Sequence, residues 1–381
     1  MIIFSHRMKP RIIRAAAWVG LLLPSAVAAL GSIEAALNAA PVAHVLSEEV
    51  AIPNVCAWPK LALLPDGTIA AALYDQPGHV QLLEGDVACW ASSDGGLTWQ
   101  LRGKATQHLA GTVRVNHALG VTRGGEVLIA AGGWSLRPDA DGKTFKREKL
   151  LRPVVSRSSD EGRSWKISTA FPDGQDGQTL VPFGNFVPGA DGNLRVAAYS
   201  FSHGLKPRID TCYSVISRDG GVTWAIQSVI GTPVANETDI LHLGGGRWLA
   251  AARNLGDPGA PGHSIDIYTS EDDAATWTKT SRVTEPLQHP GDLVQLADGR
   301  VVLAYGDRRP GHYGVVIKVS RDQGRSWSEP VAIAQGVQTR DSGYPSTVQL
   351  ADGTLVTAYY TKKSTRLNGY HMAVIRWRLE K

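Results

Sequence analysis

Residues able to contact a sugar and to transfer protons recur at the two ends of paired apolar runs in this sequence. Where the first run of a pair begins, the residues are Trp58, Asn116-His117, Gly184-Asn185, Glu237, His289 and Tyr344. Where the second run ends, they are Tyr74-Asp75, Trp134, Tyr199, Arg253, Asp307-Arg308 and Tyr359. Carboxylates, phenols, imidazoles and guanidinium groups among aromatic side chains supply the proton-transfer groups, donors and stacking faces that a pocket for an acidic sugar needs.

The elements that must position these residues are six hairpins. Each hairpin consists of two β-rich runs joined by Asp-Gly or Gly-Gly, in which a glycine accepts a positive φ. In chain order they read LALLPDGTIAAALY, LGVTRGGEVLIAAG, FVPGADGNLRVAAY, LHLGGGRWLAAAR, VQLADGRVVLAYG and VQLADGTLVTAYY. The candidate residues stand at the open ends of these hairpins, opposite the turns.

An octapeptide that ends in tryptophan follows each of the first five hairpins. The five copies are SSDGGLTW, SSDEGRSW, SRDGGVTW, SEDDAATW and SRDQGRSW. This motif is the Asp box, in which Asp and Ser side chains are expected to bond backbone amides of a turn and Trp to pack on the sheet. The fourth copy has Ala274 where the others have glycine, so we expect an altered turn there. The boxes are predicted to hold the scaffold rather than to carry chemistry.

Six units of four strands predict an all-β fold, a six-bladed β-propeller that forms a single domain over residues 41–381. Three strands are predicted for the last unit, and we expect Val42 to Ala51 to supply the fourth and close the ring. A tandem of β-sandwiches fits one repeated four-strand unit poorly. Two strand reversals separate the hairpin turns from the boxes, so both are expected on one rim and the candidate residues on the other.

Asp boxes on a six-bladed propeller resemble the sialidase family, and the likeness covers nearly the whole chain after its N-terminal segment. NETDILHLGGGRWLAAARN is similar to the sialidase segment in which a Glu opens a strand and an Arg closes the hairpin. The resemblance implies that Glu237 is an activating base and that Arg253 binds a substrate carboxylate. GYPSTVQLADGTLVTAYY is similar to the segment that carries the nucleophilic tyrosine, which here is Tyr344.

The resemblance implies an exo-acting glycoside hydrolase that cleaves a terminal acidic sugar. A tyrosine with a pKa near 10 is a poor nucleophile at neutral pH, but a carboxylate within hydrogen-bond reach can take its proton. A neutral phenol suits a substrate whose own carboxylate, at the anomeric carbon, would repel an Asp or Glu nucleophile. Arginines then hold that carboxylate through paired hydrogen bonds.

The sequence departs from the sialidase pattern in its first unit. CAWPKLALLPDG contains no arginine where the family has Arg-Ile-Pro, and Lys60 is the nearest cation. A further arginine of the carboxylate clamp is expected at Arg308 or Arg309, with Arg308 taken first. The shortened clamp leaves open a substrate other than sialic acid, either another acidic sugar or a neutral one.

The general acid is expected in the loop YDQPGHVQLLEGDVACW, by analogy with the family. The loop offers Asp75, Glu84 and Asp86, and position favours Asp86 as the acid. We expect Asp75 to contact substrate instead, together with His117 and His289.

Each of these residues also has a structural interpretation. Tyr344 would then pack against a neighbouring strand, and Glu237 would pair with Arg253 because a buried unpaired carboxylate is costly. His117 and His289 would be core histidines whose hydrogen bonds are satisfied. The Asp307-Arg308 dipeptide would form a local ion pair.

The N-terminal 28 residues carry the pattern of a signal peptide. A basic segment precedes the apolar run AAAWVGLLLPSAVAAL, which contains the small-residue site Ala26-Val27-Ala28 and is shorter than the roughly 18 residues of a membrane span. We therefore expect a secreted or periplasmic protein whose mature chain is not inserted in a membrane. Four of the 39 basic residues lie in this segment, so the rest of the chain carries 35 basic and 35 acidic residues. This balance predicts no nucleic-acid partner.

Two further function classes remain open at this stage. A propeller polysaccharide lyase would use His117 or His289 with Tyr344 to move protons on a uronic acid. A catalytically silent glycan-binding propeller would keep Glu237 and Tyr344 out of hydrogen-bond reach of each other. The histidines lack the HxxH or HExxH spacing of a catalytic zinc site, and no dinucleotide or phosphate-loop motif is present, so no cofactor is predicted. The expected partner is a glycan or oligosaccharide substrate.

Overall fold

The computed structural model describes residues 40–79, 83–139, 145–200, 202, 209–256, 263–362 and 369–380. The predicted signal peptide, residues 1–28, lies outside the described residues. The described chain is built from β-strands and a short 3-10 turn at Gln175–Gly177. Within it, no helix has the length and apolar character needed to cross a membrane.

The strands form six antiparallel four-stranded units, which we call blades 1 to 6. The first strand of the chain, β1 (Ala43–Pro53), belongs to blade 6. Blade 1 contains β2 (Cys56–Leu63), β3 (Ile69–Tyr74), β4 (Val87–Ser92) and β5 (Gln100–Lys104). Blade 2 contains β6 (Thr112–Val121), β7 (Val127–Pro138), β8 (Phe145–Ser158) and β9 (Lys166–Ser168). Blade 3 contains β10 (Leu180–Pro188), β11 (Leu194–Ser200), β12 (Cys212–Ser217) and β13 (Ala225–Gly231).

The second half of the chain repeats the arrangement. Blade 4 contains β14 (Ala235–Gly244), β15 (Arg247–Asn254), β16 (Ser264–Ser270) and β17 (Thr278–Arg282). Blade 5 contains β18 (Gln288–Gln295), β19 (Val301–Asp307), β20 (Gly314–Ser320) and β21 (Val331–Ala334). Blade 6 contains β22 (Gly343–Gln349), β23 (Leu355–Thr361), β24 (His371–Leu379) and β1.

The blades close into a ring, which makes the fold the predicted six-bladed propeller. The first strands of successive blades contact each other in the order β2, β6, β10, β14, β18, β22 and back to β2. Blades 2 and 3 are joined further by parallel pairing of β6 with β10. Strand β1 pairs with β24 as the outer strand of blade 6, from Ala43↔Leu379 to Pro53↔His371. The predicted closing strand is therefore confirmed, and a chain that returns to its start leaves few sheet edges exposed.

Every inner strand is irregular at the same end. The pairing of each first strand with the second shifts register at residues 57–59, 115–116, 184–186, 236–237, 289–290 and 344–345. A β-bulge re-aims side chains and interrupts pairing. The sequence placed its first set of candidate residues at or beside these positions, and the bulges bring Trp58, Glu237 and Tyr344 of that set together at the propeller axis.

A belt of buried polar side chains just beyond the bulges ties neighbouring inner strands together. Asp239 accepts hydrogen bonds from the backbone N–H of Asn185 at 3.1 Å and of Leu293 at 2.8 Å. Asp292 accepts one from Thr347 N at 2.8 Å. The hydroxyl of Ser346 then accepts one from Leu61 N, at 3.0 Å, so the links run from blade 3 around to blade 1.

The Asp boxes are scaffold turns between the third and fourth strands, as predicted. In the first copy, Asp94 accepts hydrogen bonds from the backbone N–H of Leu97 at 3.1 Å and of Thr98 at 2.9 Å, and Trp99 Nε1 donates to the carbonyl of Gly96 at 3.1 Å. The boxes lie at the rim opposite the bulges because they share that rim with the hairpin turns.

The divergent fourth box is altered in one contact. Ala274 adopts the left-handed conformation, with φ of 63°, and its N–H still bonds Ser270 Oγ at 3.0 Å. The indole of Trp277 donates to Ser228 Oγ at 3.2 Å, and that hydroxyl donates to the carbonyl of Ala274 at 2.6 Å. A serine of blade 3 therefore stands between two groups that contact each other directly in the first box.

Candidate active site

The centre of the site is a hydrogen-bonded pair of a phenol and a carboxylate. Tyr344 Oη lies 2.8 Å from both Oε1 and Oε2 of Glu237, and donates its proton to that carboxylate. The two residues come from β22 and β14, and both are buried, with 4% and 7% of their surfaces exposed. The geometry points the proton of Tyr344 at the group that can accept it.

The backbone of Tyr344 is strained. Its φ is 51°, in the left-handed region that a non-glycine residue rarely adopts, and the preceding Gly343 has φ of 92°. A Cβ on Gly343 would come within 2.9 Å of Gly306 Cα, so only glycine allows blades 5 and 6 to approach so closely at this point. Strain of this kind persists where the surrounding structure holds it, and it concentrates at functional sites.

Arg253 completes an ionic group around the pair. Its Nη1 bonds Glu237 Oε2 and lies 3.3 Å from Tyr344 Oη. Its Nη2 donates to His263 Nδ1 at 2.8 Å, so this imidazole accepts and is neutral. Burial and the Arg253 charge lower the pKa of His263 to about 4.

The protonation states of the pair are set in opposite directions. Burial acts to raise the pKa of Glu237, but the charge and hydrogen bond of Arg253, with the hydrogen bond of Tyr344, outweigh it and leave that pKa lowered. Burial, followed by the Glu237 charge, raises the pKa of Tyr344. The resting site therefore holds a neutral phenol beside an ionised carboxylate. The proton moves to Glu237 only as the phenol oxygen gives electron density to the carbon that it attacks.

Arg308 is the second arginine of the site. Its Cζ lies 5.0 Å from the centroid of the Tyr344 ring, and its Nη2 donates to the carbonyl of Ser342 at 2.9 Å. Its buried Nε has no hydrogen-bond partner, and within the described residues Arg308 forms no ion pair. The neighbouring Arg309 binds Asp307 instead, at 2.6 Å. The local ion pair considered for Asp307-Arg308 is thus made by Arg309, and Arg308 turns into the site.

A third arginine comes from an element that the sequence analysis did not consider. Arg147 lies on β8, the third strand of blade 2, which together with β7 extends well beyond the usual blade length. Its guanidinium lies over the Trp134 ring at 5.5 Å, and Glu237, Tyr344 and Asp341 act on it electrostatically. Its side chain remains open to solvent, which places Arg147 at the mouth of the site.

A histidine–aspartate pair forms the adjoining wall of the site. His79 Nδ1 lies 2.6 and 2.8 Å from the two carboxylate oxygens of Asp341. Tyr360 and Tyr370 also donate to that carboxylate, at 2.6 and 2.7 Å. The ring of Trp58 contacts the His79 ring edge-on at 5.1 Å.

Trp58 links the two halves of the site. Its ring lies 5.5 Å from the Tyr344 ring on one side and 5.1 Å from the His79 ring on the other. Tyr360, from blade 6, also links the two halves, because its ring lies 5.7 Å from both the Tyr344 ring and the His79 ring. The phenol–carboxylate pair and the histidine–aspartate pair are therefore parts of one aromatic-lined site.

The candidate acids of the first blade lie elsewhere. Asp86 accepts a hydrogen bond from Thr106 Oγ1 at 2.9 Å and lies 2.8 Å from His108 Nδ1. Asp75 pairs with Lys104 at 2.8 Å and accepts from the Asp86 N–H at 3.0 Å. In the described part of the chain, neither carboxylate contacts Tyr344 or Glu237.

The two candidate histidines are both buried, and they differ in location. His117 lies between blades 1 and 2, where Nε2 bonds the carbonyl of Ala72 at 3.0 Å, and burial lowers its pKa to about 4. His289 stacks on His263 at 5.1 Å and so belongs to the Arg253 side of the site. Burial and the charge of Arg253 lower the pKa of His289 as well.

The residues missed by sequence reasoning are His79, Asp341, Arg147 and His263. His79 stands in the same loop that was searched for a carboxylic acid, and Asp341 stands three residues before Tyr344. His79 was missed because only carboxylates were expected to act as the acid in that loop. Asp341 was missed because it precedes the strand start at which candidate residues were expected. The unusual length of the β7–β8 hairpin was the available signal for Arg147.

The family of this chain follows from its sequence together with this fold. The model of the BNR repeat-like domain matches residues 84–357. The chain belongs to the BNR repeat-like family, as the Asp boxes and the six blades indicate. No protein of curated function matches the sequence.

Solved structures share the fold over most of the chain. A protein of unknown function from Dyadobacter fermentans is 22% identical, with a TM-score of 0.73 over 90% of this chain and 100% of its own. A Hadza microbial sialidase is 19% identical, with a TM-score of 0.65 over 89% of this chain and 66% of its own. The NanB sialidase of Streptococcus pneumoniae is 14% identical, with a TM-score of 0.65 over 86% of this chain and 68% of its own. The chain therefore has the propeller fold found in these sialidases.

Proposed function

We propose that this protein is an exo-acting glycoside hydrolase that removes a terminal acidic sugar, with Tyr344 as nucleophile and Glu237 as its base. The observation that carries the proposal is the contact of Tyr344 Oη with both carboxylate oxygens of Glu237, at 2.8 Å, in a buried site. A merely structural tyrosine needs no ionised partner, whereas a nucleophilic one needs a proton acceptor within this distance.

The charge of the site favours an anionic substrate. Arg308 has only neutral partners among the described residues, and Arg147 donates to the carbonyl of His79 at 3.5 Å without an ion pair of its own. Arg253 is already paired with Glu237. Two guanidinium groups without a counter-ion beside a nucleophile suit the carboxylate of an acidic sugar. Arg147 would then take the place of the arginine that blade 1 lacks.

The first half of the proposed reaction forms a glycosyl-enzyme. Tyr344 Oη attacks the anomeric carbon while its proton moves to Glu237, and the bond from that carbon to the leaving oxygen breaks as this oxygen takes a proton. The substrate carboxylate, held by Arg308 and Arg147, is adjacent to the reacting carbon. A neutral phenol approaches that carbon without the repulsion that a carboxylate nucleophile would meet.

The second half returns the enzyme to its resting state. A water molecule attacks the same carbon and gives one proton to the group that protonated the leaving oxygen, the bond to Tyr344 breaks, and Glu237 gives the proton back to the phenol oxygen. Two displacements at one carbon retain its configuration. The lowered pKa of Glu237 keeps this residue ionised between turnovers, ready to accept the proton again.

The test is hydrolysis of 4-methylumbelliferyl sialoside by the wild type, by Tyr344→Phe and by Glu237→Gln. We expect turnover by the wild type and a loss of about 10²- to 10⁴-fold or more in each variant, the range for loss of a positioned proton acceptor. Binding without turnover would favour a glycan-binding propeller. If the wild type neither binds nor hydrolyses the sialoside, a panel of uronic-acid and neutral glycans should be assayed. On that panel, an unsaturated product absorbing in the near ultraviolet would mark a lyase.

We also propose that the protein acts outside the cytoplasm. The support is the basic and apolar pattern of residues 1–28. N-terminal sequencing of the protein from the secreted and periplasmic fractions would start near residue 29 if this segment is removed. A start at Met1 in a protein confined to the cytoplasm would contradict the proposal.

A further inference from the structure

The proposed hydrolysis needs a proton donor for the leaving oxygen, and the carboxylic acids of blade 1 are engaged away from the nucleophile. Asp86 is held by Thr106 and His108, at 2.9 and 2.8 Å. Asp75 is held by Lys104, at 2.8 Å. Their loop does, however, send one titratable side chain into the site.

That side chain is His79. Its ring lies at 5.1 Å from Trp58, whose other neighbour is Tyr344 at 5.5 Å. The Tyr360 ring lies 5.7 Å from both His79 and Tyr344. A sugar bound against Tyr344 would thus have the His79 imidazole on the adjoining wall, in the loop of blade 1 where the sequence led us to expect the acid.

The partner of His79 fixes how the imidazole can act. Burial acts to raise the pKa of Asp341, but its hydrogen bond and charge interaction with His79, with the hydroxyls of Tyr360 and Tyr370, hold that pKa well below its usual range. An ionised Asp341 requires a proton on His79 Nδ1, 2.6 Å away. The nitrogen left for chemistry is Nε2, which has no hydrogen-bond partner among the described residues, and the side chain is 17% exposed.

We propose that His79 is the proton donor to the leaving group, and that Asp341 is the positioning residue that orients it. This inference rests on the proposed function. In the first half-reaction, the Nε2–H of the imidazolium gives its proton to the leaving oxygen as the glycosidic bond breaks and the bond to Tyr344 forms. In the second half-reaction, neutral Nε2 takes a proton from the attacking water and restores the imidazolium.

Substrates with different leaving groups separate this role from a structural one. A good leaving group, such as 4-methylumbelliferone, departs without protonation, whereas the sugar alcohol of sialyllactose does not. Loss of a general acid therefore slows the second substrate far more than the first. A histidine that only supports the wall would slow both alike, because both use the same nucleophile and the same clamp.

The experiment compares kcat/KM of wild type, His79→Gln and Tyr344→Phe on 4-methylumbelliferyl sialoside and on sialyllactose. We expect His79→Gln to lose about 10²- to 10⁴-fold on sialyllactose and less than about tenfold on the aryl substrate, while Tyr344→Phe loses activity on both. Equal losses of His79→Gln on the two substrates, or no loss on either, would overturn the assignment. Absence of wild-type turnover on both substrates would reject sialic acid as the sugar that is removed, and the role of His79 in the cleavage of sialosides with it.

Asp341→Asn gives a second readout that does not depend on His79 variants folding. Asp341 lies 2.6 Å from His79 Nδ1, so as a positioning residue it should affect the reaction through His79. We therefore expect Asp341→Asn to lose more kcat/KM on sialyllactose than on the aryl substrate. Equal losses of Asp341→Asn on the two substrates would count against the proposal.

Discussion

The phenol oxygen of Tyr344 lies 2.8 Å from both carboxylate oxygens of Glu237, although the two residues are 107 positions apart in the chain. The contact exists because blades 4 and 6 each bulge at the start of the inner strand and turn one side chain toward the axis. The Glu237 carboxylate also holds Arg253, so Arg253 is not free to bind a substrate by itself. In the proposed function, the charge that binds the substrate carboxylate therefore comes from Arg308 and Arg147.

Replacing Arg308 by methionine should weaken the reaction of acidic substrates. Loss of hydrogen bonds to a charged group costs about 1.5–3 kcal/mol, which corresponds to a decrease of roughly 10- to 150-fold in kcat/KM. Arg309→Met is the matched control, because Arg309 binds Asp307 and is expected to leave kcat/KM unchanged. The two variants should be assayed on the free acid and on its methyl ester. An equal loss on acid and ester in Arg308→Met would show that this residue does not recognise the carboxylate.

Arg147→Met should produce the same selective loss on the acid. The reason is that Arg147, at the mouth of the site, has no counter-ion among the described residues and is near the charges of Glu237 and Asp341. This loss would be measured as kcat/KM on the free acid and on its methyl ester, as for Arg308→Met. A variant with unchanged KM and kcat on the acid would remove Arg147 from the clamp.

The buried polar belt predicts a stability that falls as pH rises. Burial, followed by the charge of Asp239, raises the pKa of Asp292 to about 7, and Lys60 Nζ lies 4.0 Å from Asp292 Oδ1. The unfolded chain has a pKa near 3.9 for this group, so the native state holds the extra proton between about pH 4 and pH 7. The stabilisation that this proton gives to the native state is complete below pH 4 and is lost as pH rises through about 7. Urea unfolding at pH 5 and pH 8 measures the change.

Two variants test that explanation of the belt. Asp292→Asn keeps an acceptor for Thr347 N but cannot ionise, so its stability relative to wild type should increase from pH 5 to pH 8. Lys60→Met removes a cation beside two buried carboxyls and should cost about 3 kcal/mol at pH 8. A stability difference between Asp292→Asn and wild type that is independent of pH would contradict the raised pKa.

The boxes predict a matched pair of glycine substitutions. Gly220 and Gly221 of the third box both have positive φ, 72° and 90°. A Cβ on Gly220 meets nothing within 4 Å, whereas one on Gly221 would lie 2.8 Å from Leu128 Cδ1. Gly220→Ala should cost about 1–2 kcal/mol for the left-handed backbone, and Gly221→Ala should cost more. Equal costs in urea unfolding would mean that the packing of the box on its blade is looser than described.

Much of the fold could be predicted because its signals are local and repeated. The Asp-Gly turns, the boxes and the alternation of strand direction together predict which ends of the strands share a rim, and this placed Glu237 and Tyr344 at one end of the axis. The closing strand was predictable because the last unit lacked a partner for HMAVIRWRLE. These inferences depend on strand parity, which does not require knowledge of side-chain packing.

The rest of the site depends on contacts that no local pattern encodes. His79 and Asp341 are 262 residues apart, and their pairing follows from the path of a loop. The same loop turns Asp86 toward Thr106 and His108, although its position suggested the acid. The choice between Arg308 and Arg309 depends on which side of one strand end faces the axis. Spacing alone does not determine any of these.

Covalent trapping of the nucleophile tests the role of Tyr344 directly. A sialosyl fluoride carrying a second fluorine at C3 should react with the wild type and slow the hydrolysis of the glycosyl-enzyme, so that mass spectrometry of the digested protein finds one added glycosyl group. A nucleophilic Tyr344 should carry this group, and no adduct should form in Tyr344→Phe or, on the same time scale, in Glu237→Gln. An adduct on Glu237 or another residue, or steady turnover of sialosides in Tyr344→Phe, would contradict it.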